Sequence, residues 1–185
     1  MLEDDLLELC LQGNRMAQEK LYRHYASRMH GICVRYARTG FEVEDIFQEA
    51  FVKVFTHLHR FNKQGSLDGW IRRIVVNTAV DSYKKNLLFK EHVSYDTAPD
   101  DELATVTLDD NLQETDLLNL LNQLPDGYRL VFNLYAIEGY SHKEIADLLH
   151  INEGTSKSHL AKARKYLQHL LFQQQSIRNE SRFTQ

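Results

Sequence analysis

Apolar residues recur along this chain at intervals of three and four, and no convincing alternating run predicts a strand. The spacing predicts a short helix over about Asp4–Gln12. Asn14 is placed to cap a second, about Met16–Arg38, whose inner side carries Leu21, Tyr25, Met29, Ile32, Cys33 and Tyr36. A third runs over about Val43–Leu58, with Ile46, Phe47, Ala50, Val54 and Leu58 inward and Asp45, Gln48, Glu49, Val52 and Lys53 outward. The polar stretch Arg60–Ser66 reads as a loop, and Ser66 caps a fourth helix over about Leu67–Asn86. On that helix Trp70, Ile71, Ile74 and Ala79 read as inward, and Arg72, Arg73, Asn77, Asp81, Lys84 and Lys85 lie on the other side. The pattern weakens over Ser94–Asp116 and returns afterwards. The fold class is all-α: two small helical domains, 1–93 and 117–185, joined by an acidic flexible linker at 94–116.

The C-terminal pattern has a further signature. Ser141 and Glu144 form an S-x-x-E capping box, which satisfies the first free amides of a helix. Ile145, Leu148 and Leu149 give that helix one apolar face. His150 falls in the turn, where a left-handed backbone is needed and His tolerates it better than most residues. Asn152 is positioned to cap the next helix, with Leu160, Ala163, Leu167 and Leu170 inward. Lys157, Lys162, Arg164 and Lys165 follow, with no acid from Thr155 to Leu171. A short capped helix, a tight turn and a basic helix make a helix-turn-helix suited to a major groove. Cations attract phosphate, and polar side chains at the helix start reach base edges. The same pattern also fits a helical hairpin with a solvated basic face. Ser156 stands where an apolar residue would anchor the second helix better.

Charge at first opposes a DNA-binding reading, because the 185-residue chain carries a formal net charge of -4. Its distribution removes the conflict. Residues 86–116 hold 1 cation and 9 acids, whereas residues 1–85 hold 13 cations and 11 acids and residues 117–185 hold 8 and 6. The acidic balance is thus concentrated between the two helical parts, and the flanks are basic. Cys10 and Cys33 form no metal-binding or redox pattern and fall on apolar helical faces, which implies buried thiols in a reduced, cytoplasmic protein. No apolar run approaches the ~20 residues that span a bilayer, so no membrane insertion is expected.

Two segments carry a family resemblance. EDIFQEAFVKVF, followed by RFNKQGSLDGWIRRIVVNTAVDSYKK, resembles region 2 of extracytoplasmic-function (ECF) sigma factors, through Glu44, Asp45, Gln48 and Glu49 and then Trp70, Ile71, Ile74, Asn77 and Asp81. LNQLPDGYRLVFNLYAIEGYSHKEIADLL is similar to sigma region 4. The two matches stand in the family's order and cover about Ala17–Lys85 and Leu117–Leu171. The resemblance implies a sigma factor, with core RNA polymerase, duplex −35 and melted −10 promoter DNA, and an anti-sigma factor as partners. It implies that Asp45, Gln48 and Glu49, with Phe51, Val52 and Phe55, meet the clamp of the polymerase's largest subunit. It implies that the loop residues Arg60, Phe61, Asn62, Lys63 and Gln64 receive a flipped base, whose unstacking costs a few kcal/mol. Phe61 either forms part of that pocket or anchors the loop. Arg72, Arg73, Lys84 and Lys85 would neutralise phosphates, and Asn77 would present an amide to a base. Trp70 reads as core rather than as a stacking platform. In region 4, Ser141, His142, Thr155, Ser156, Lys157, Ser158, His159, Lys162, Arg164 and Lys165 would meet the −35 element. His159 replaces the family's usual Arg, and a neutral His cannot make the fixed bidentate contact that Arg makes. The acidic segment either threads toward the polymerase active centre, as in the family, or is a solubilising tether.

Nothing in the sequence points to catalysis. The nine His are dispersed, and there is no Gly-rich phosphate loop, G-x-S-x-G or H-E-x-x-H. The expectation is a non-enzymatic protein with no cofactor and no metal. Two other classes share parts of the pattern: a stand-alone helix-turn-helix regulator, which would bind duplex DNA by itself, and a helical protein-binding adaptor.

Overall fold

A computed structural model describes residues 3–89 and 114–183. Most of the segment expected to be the linker, 94–116, lies outside the described residues. The chain divides into two compact units, Met1–Glu91 and His92–Gln185.

In the first unit, α1 (Glu3–Leu11) is followed by a turn at Gly13, whose φ of +78° suits glycine. The Asn14 side chain then accepts from Ala17 N at 3.1 Å and starts α2 (Arg15–Tyr36). Thr39 starts α3 (Gly40–His57) in the same way, accepting from Glu42 N at 3.2 Å, while the Glu42 carboxylate accepts from Arg38 N at 2.7 Å. A 3-10 turn (Leu58–Arg60) and a loop lead to α4 (Leu67–Phe89), where Ser66 Oγ accepts from Gly69 N at 3.1 Å. Helices α2, α3 and α4 pack on one another in pairs, and α1 packs on α2.

All six inner positions expected for α2 are buried, as are Ile46, Phe47, Ala50, Val54 and Leu58 of α3. Helix α4 differs in phase. Its buried residues are Leu67, Ile71, Val75, Val76, Thr78, Ala79 and Val80, whereas Trp70 and Ile74 are only half-buried. Burying each large apolar side chain stabilises by roughly 1.5–3 kcal/mol, so α4 settles where Val75, Val76 and Val80 are covered as well as Ile71. The buried Thr78 hydroxyl is satisfied, donating to Ile74 O at 2.8 Å and accepting from Lys53 Nζ at 3.3 Å.

The second unit begins with α5 (Glu114–Gln123), which starts three residues inside the segment expected to be linker. Its Leu120 and Leu121, with Leu124 just beyond its end, form a core with Ala163, Leu167 and Leu171 of α8 (Glu153–Phe183). Between them lie α6 (Asp126–Phe132), one π-helical turn (Asn133–Ile137) and α7 (His142–Leu149). Arg129 is buried, donating to Asn122 Oδ1 at 3.0 Å with Asp126 at 3.6 Å. The Ser141–Glu144 capping box opens α7, and His150 closes it at φ 55°, ψ 43°. The Asn152 carbonyl accepts from Ser156 N at 3.1 Å in the first turn of α8.

Candidate nucleic-acid interface

Three surfaces carry the residues singled out in the sequence. On α3, Asp45, Gln48 and Val52 are exposed. Glu49 is half-buried beside Lys53 Nζ at 2.7 Å, with Lys85 Nζ at 3.8 Å. The Lys53 hydrogen bond holds the Glu49 carboxyl below its ordinary range against the opposing effect of burial. Lys53 also lies 3.9 Å from Asp81, so one lysine ties α3 to α4. Phe51 departs from the sequence reading. It is 4 % exposed, locked between Tyr22 (4.8 Å), Phe47 (4.9 Å) and Phe55 (6.2 Å). The aromatic ring of Tyr22 comes from α2, and it turns Phe51 into core rather than contact surface. Phe55 is half-buried at the edge of the same cluster.

The loop and α4 form the second surface. Arg60 is exposed at the end of the 3-10 turn, and Phe61 is half-buried against Trp70 with ring centroids 5.7 Å apart. Asn62 Oδ1 accepts from Gln64 N at 3.1 Å, so this side chain shapes the turn. Lys63 takes φ 59° and Gly65 φ +100°, a backbone that presents the exposed side chains of Lys63 and Gln64 outward. One uncovered strip runs along α4. Trp70, Arg73, Ile74, Asn77, Asp81 and Lys84 share it at helical spacing, each exposed or half-buried. Trp70 is therefore not core: it stands at the head of the strip, beside the loop. Arg72 projects about 140° round the helix from Asn77 and does not join that strip. Lys85 is exposed and directed to Glu49.

The third surface is the helix-turn-helix. Ser141 is engaged in its capping box, with Oγ accepting from Glu144 N at 3.2 Å. His142 stacks on Tyr135 at 4.4 Å and its Nδ1 shares a hydrogen bond with Ser156 Oγ at 2.9 Å. Ser156 is fully buried, a second departure from the sequence reading, and it offers no surface to DNA. A polar residue fits this core position because His142 of α7 satisfies it. Ser158, Lys162 and Lys165 form one exposed row on α8, and Lys157 and Arg164 lie on the adjoining row. Lys157 pairs with Glu153 at 2.7 Å, a surface contact of little energetic weight. Thr155 is half-buried. His159 is half-buried against the Tyr128 ring at 5.2 Å, and Lys162 Nζ lies 5.8 Å from the same ring. Burial first, and then Lys162, push the His159 pKa down, which favours the neutral imidazole.

Sequence reasoning missed two residues. Arg129 is the buried centre of a polar network and reads from sequence as one more surface cation. Phe41 is 82 % exposed and lies on the Asp45–Gln48–Val52 stripe of α3. Its spacing was available as a signal, but an aromatic in the first turn of a helix reads as core.

Comparison with known proteins matches residues 21–87 to Sigma-70 region 2 and residues 114–167 to Sigma-70, region 4. The ECF RNA polymerase sigma-E factor of Haemophilus influenzae is 23 % identical, covering 91 % of this chain and 94 % of the relative. The ECF RNA polymerase sigma factor SigW of Bacillus subtilis is 26 % identical over 84 % of this chain and 89 % of its own length. This chain belongs to the sigma-70 family, in its ECF group. The sigma factor RpoE of Bartonella quintana, crystallised with the anti-sigma factor NepR, shares the fold at a TM-score of 0.51 and 20 % identity, covering 83 % of this sigma factor and 95 % of that chain. Region 2 of this sigma factor thus contains α3, the loop and α4, and region 4 contains the helix-turn-helix. Among its described residues no helix is long and apolar enough to cross a membrane, and no His, Cys, Asp and Glu cluster is arranged to hold a metal ion.

Proposed function

We propose that this sigma factor binds core RNA polymerase, directs it to specific promoters and helps melt the DNA for transcription initiation. The observation that carries this reading is the presence of regions 2 and 4 in order on one chain, a pairing that a stand-alone regulator or an adaptor has no use for. Asp45, Gln48, Glu49 and Val52 are the polymerase contacts in this reading, with Phe55 at their edge. Arg60, Lys63 and Gln64 flank the flipped base, with Phe61 and Trp70 as the adjoining aromatic pair, and Arg73, Asn77 and Lys84 continue along the DNA. Lys157, Ser158, Lys162, Arg164 and Lys165 meet the −35 element from two rows of α8, and His159 contributes as a neutral group. The protein acts in the cytoplasm, performs no catalysis of its own, and is held inactive by an anti-sigma factor.

Run-off transcription with purified core polymerase on a promoter library tests this reading. A transcript that depends on the added chain is the expected result, and its absence on every template would exclude a sigma role. Permanganate reactivity resolves the steps. Replacing Lys63 and Gln64 with Ala impairs opening of duplex promoters more than use of a pre-melted bubble, because the unpairing cost is then gone. Replacing Lys157 and Arg164 weakens binding to both templates and flattens the salt dependence, because fewer counterions are released.

A further inference from the structure

The outer stripe of α3 is longer than the segment assigned to polymerase binding. Phe41, Asp45, Gln48, Val52 and Phe55 follow one another at intervals of four, three, four and three. That is the a/d spacing of a heptad repeat, here turned away from the domain's own core. Two of its apolar members are exposed, Phe41 at 82 % and Val52 at 65 %, and Phe55 at the far end is half-buried. Phe41 and Val52 stand about 16 Å apart along the helix at 1.5 Å per residue. The middle is polar, with Asp45 and Gln48 both exposed. Other acids on the same helix are engaged within the domain. Glu42 accepts from Arg38 N at 2.7 Å, Glu44 lies 3.0 Å from His30, and Glu49 lies 2.7 Å from Lys53. Asp45 carries the charge at the centre of the seam.

Phe41 gives the fold almost nothing in return for its exposure. It sits in the first turn of α3, which the Thr39 side chain and the Glu42 carboxylate fasten at both of their bonds. An aromatic ring on a fixed turn loses little freedom when a partner covers it, which is the setting in which large side chains dominate binding. A polar residue at one heptad position, flanked by apolar ones, sets the register of a paired helix.

We infer that Phe41 is an anchor for the core polymerase, and that the polymerase lays a helix along the full Phe41–Phe55 seam, with an apolar pocket for Phe41 about one turn beyond a cation facing Asp45. This rests on the proposed sigma function and extends its docking surface by one turn toward the start of α3. Commitment to the polymerase follows from continuity: Phe41 lies in line with Asp45, Gln48 and Val52, and one straight helix covers all four.

The test is competition binding of the full chain to purified core polymerase against a labelled reference sigma factor, with thermal melting beside it. Phe41→Ala is expected to weaken binding on the order of tenfold, as truncation of an interface aromatic does, with an unchanged melting temperature. Met16→Ala, at another large apolar side chain that is 81 % exposed on α2, is the control and is expected to bind as the parent does. Phe41→Ala binding like the parent, while Asp45→Lys with Glu49→Lys loses binding, overturns the anchor and leaves the docking face standing. Parental binding by both variants removes the docking face itself. Equal loss in Phe41→Ala and Met16→Ala also overturns the anchor, because the effect would then not belong to the seam.

Discussion

His159 shows how one side chain can shift the properties of a recognition helix. Its ring is packed on Tyr128, and burial together with Lys162 lowers its pKa below the ordinary 6.5. The unfolded chain therefore takes up this proton before the folded chain does as the pH falls. The contribution of His159 to stability is complete above pH 6.5 and declines below it. Thermal melting of residues 94–185 at roughly pH 7.5 and 5.5 is expected to show a smaller difference for His159→Gln than for the parent. An equal difference would mean that the ring is not desolvated as described. In the proposed reading of region 4, the lowered pKa of His159 reduces what this position adds to counterion release near neutral pH, and phosphate attraction would fall to Lys162 and Lys165 beside it.

At the scale of the element, α3 has two faces with separable duties. Phe51 is sealed in the aromatic cluster with Tyr22 and Phe47, while Val52, its chain neighbour, is 65 % exposed. Phe51→Ala is expected to destabilise region 2 by about 3–5 kcal/mol through the cavity it leaves, lowering the melting temperature by more than about 10 °C. Val52→Ala is expected to leave melting unchanged within about 0.5 kcal/mol while weakening polymerase binding. If Val52→Ala melts as early as Phe51→Ala, the assignment of faces is wrong. Helix α3 also shows what a sequence discloses. Inner positions of α2 and α3 were readable because polar residues interrupt the apolar ones at regular intervals. The face of α4 was not: Ile71, Ile74, Val75, Val76, Ala79 and Val80 leave nearly every direction apolar, and only packing against α2 and α3 chose the phase. The burial of Phe51, and the choice between the anchoring and DNA-contact readings of Ser156, were hidden for a related reason. Tyr22 covers one and His142 satisfies the other, and each partner comes from a different helix that no local pattern reveals.

At the scale of the molecule, each unit closes a core of its own. Leu120, Leu121 and Leu124 meet Ala163, Leu167 and Leu171 within the second unit, and Leu21, Met29, Val54, Ile71 and Val80 are sealed within the first. Residues 1–93 and 94–185, expressed separately, are each expected to be helical and to melt cooperatively. Circular dichroism decides it, and a fragment that is unfolded alone would show that the division is not one of independent domains. The acidic stretch between the cores was legible from composition alone, since it gathers 9 of the chain's 26 acids.

The two thiols have a practical consequence. Cys10 and Cys33 are both free and buried, and burial raises the pKa of each, that of Cys33 to about 12. Because only a thiolate attacks an alkylating agent, the folded first unit is expected to resist iodoacetamide at neutral pH and to consume two equivalents once unfolded. The pair is thus a built-in reporter of unfolding for region 2. It also leaves the surface clear for a single engineered cysteine, at Met16 for example, to carry a fluorophore without removing either native thiol. Prompt alkylation of Cys33 in the native protein would show that α2 opens far more readily than its packing implies.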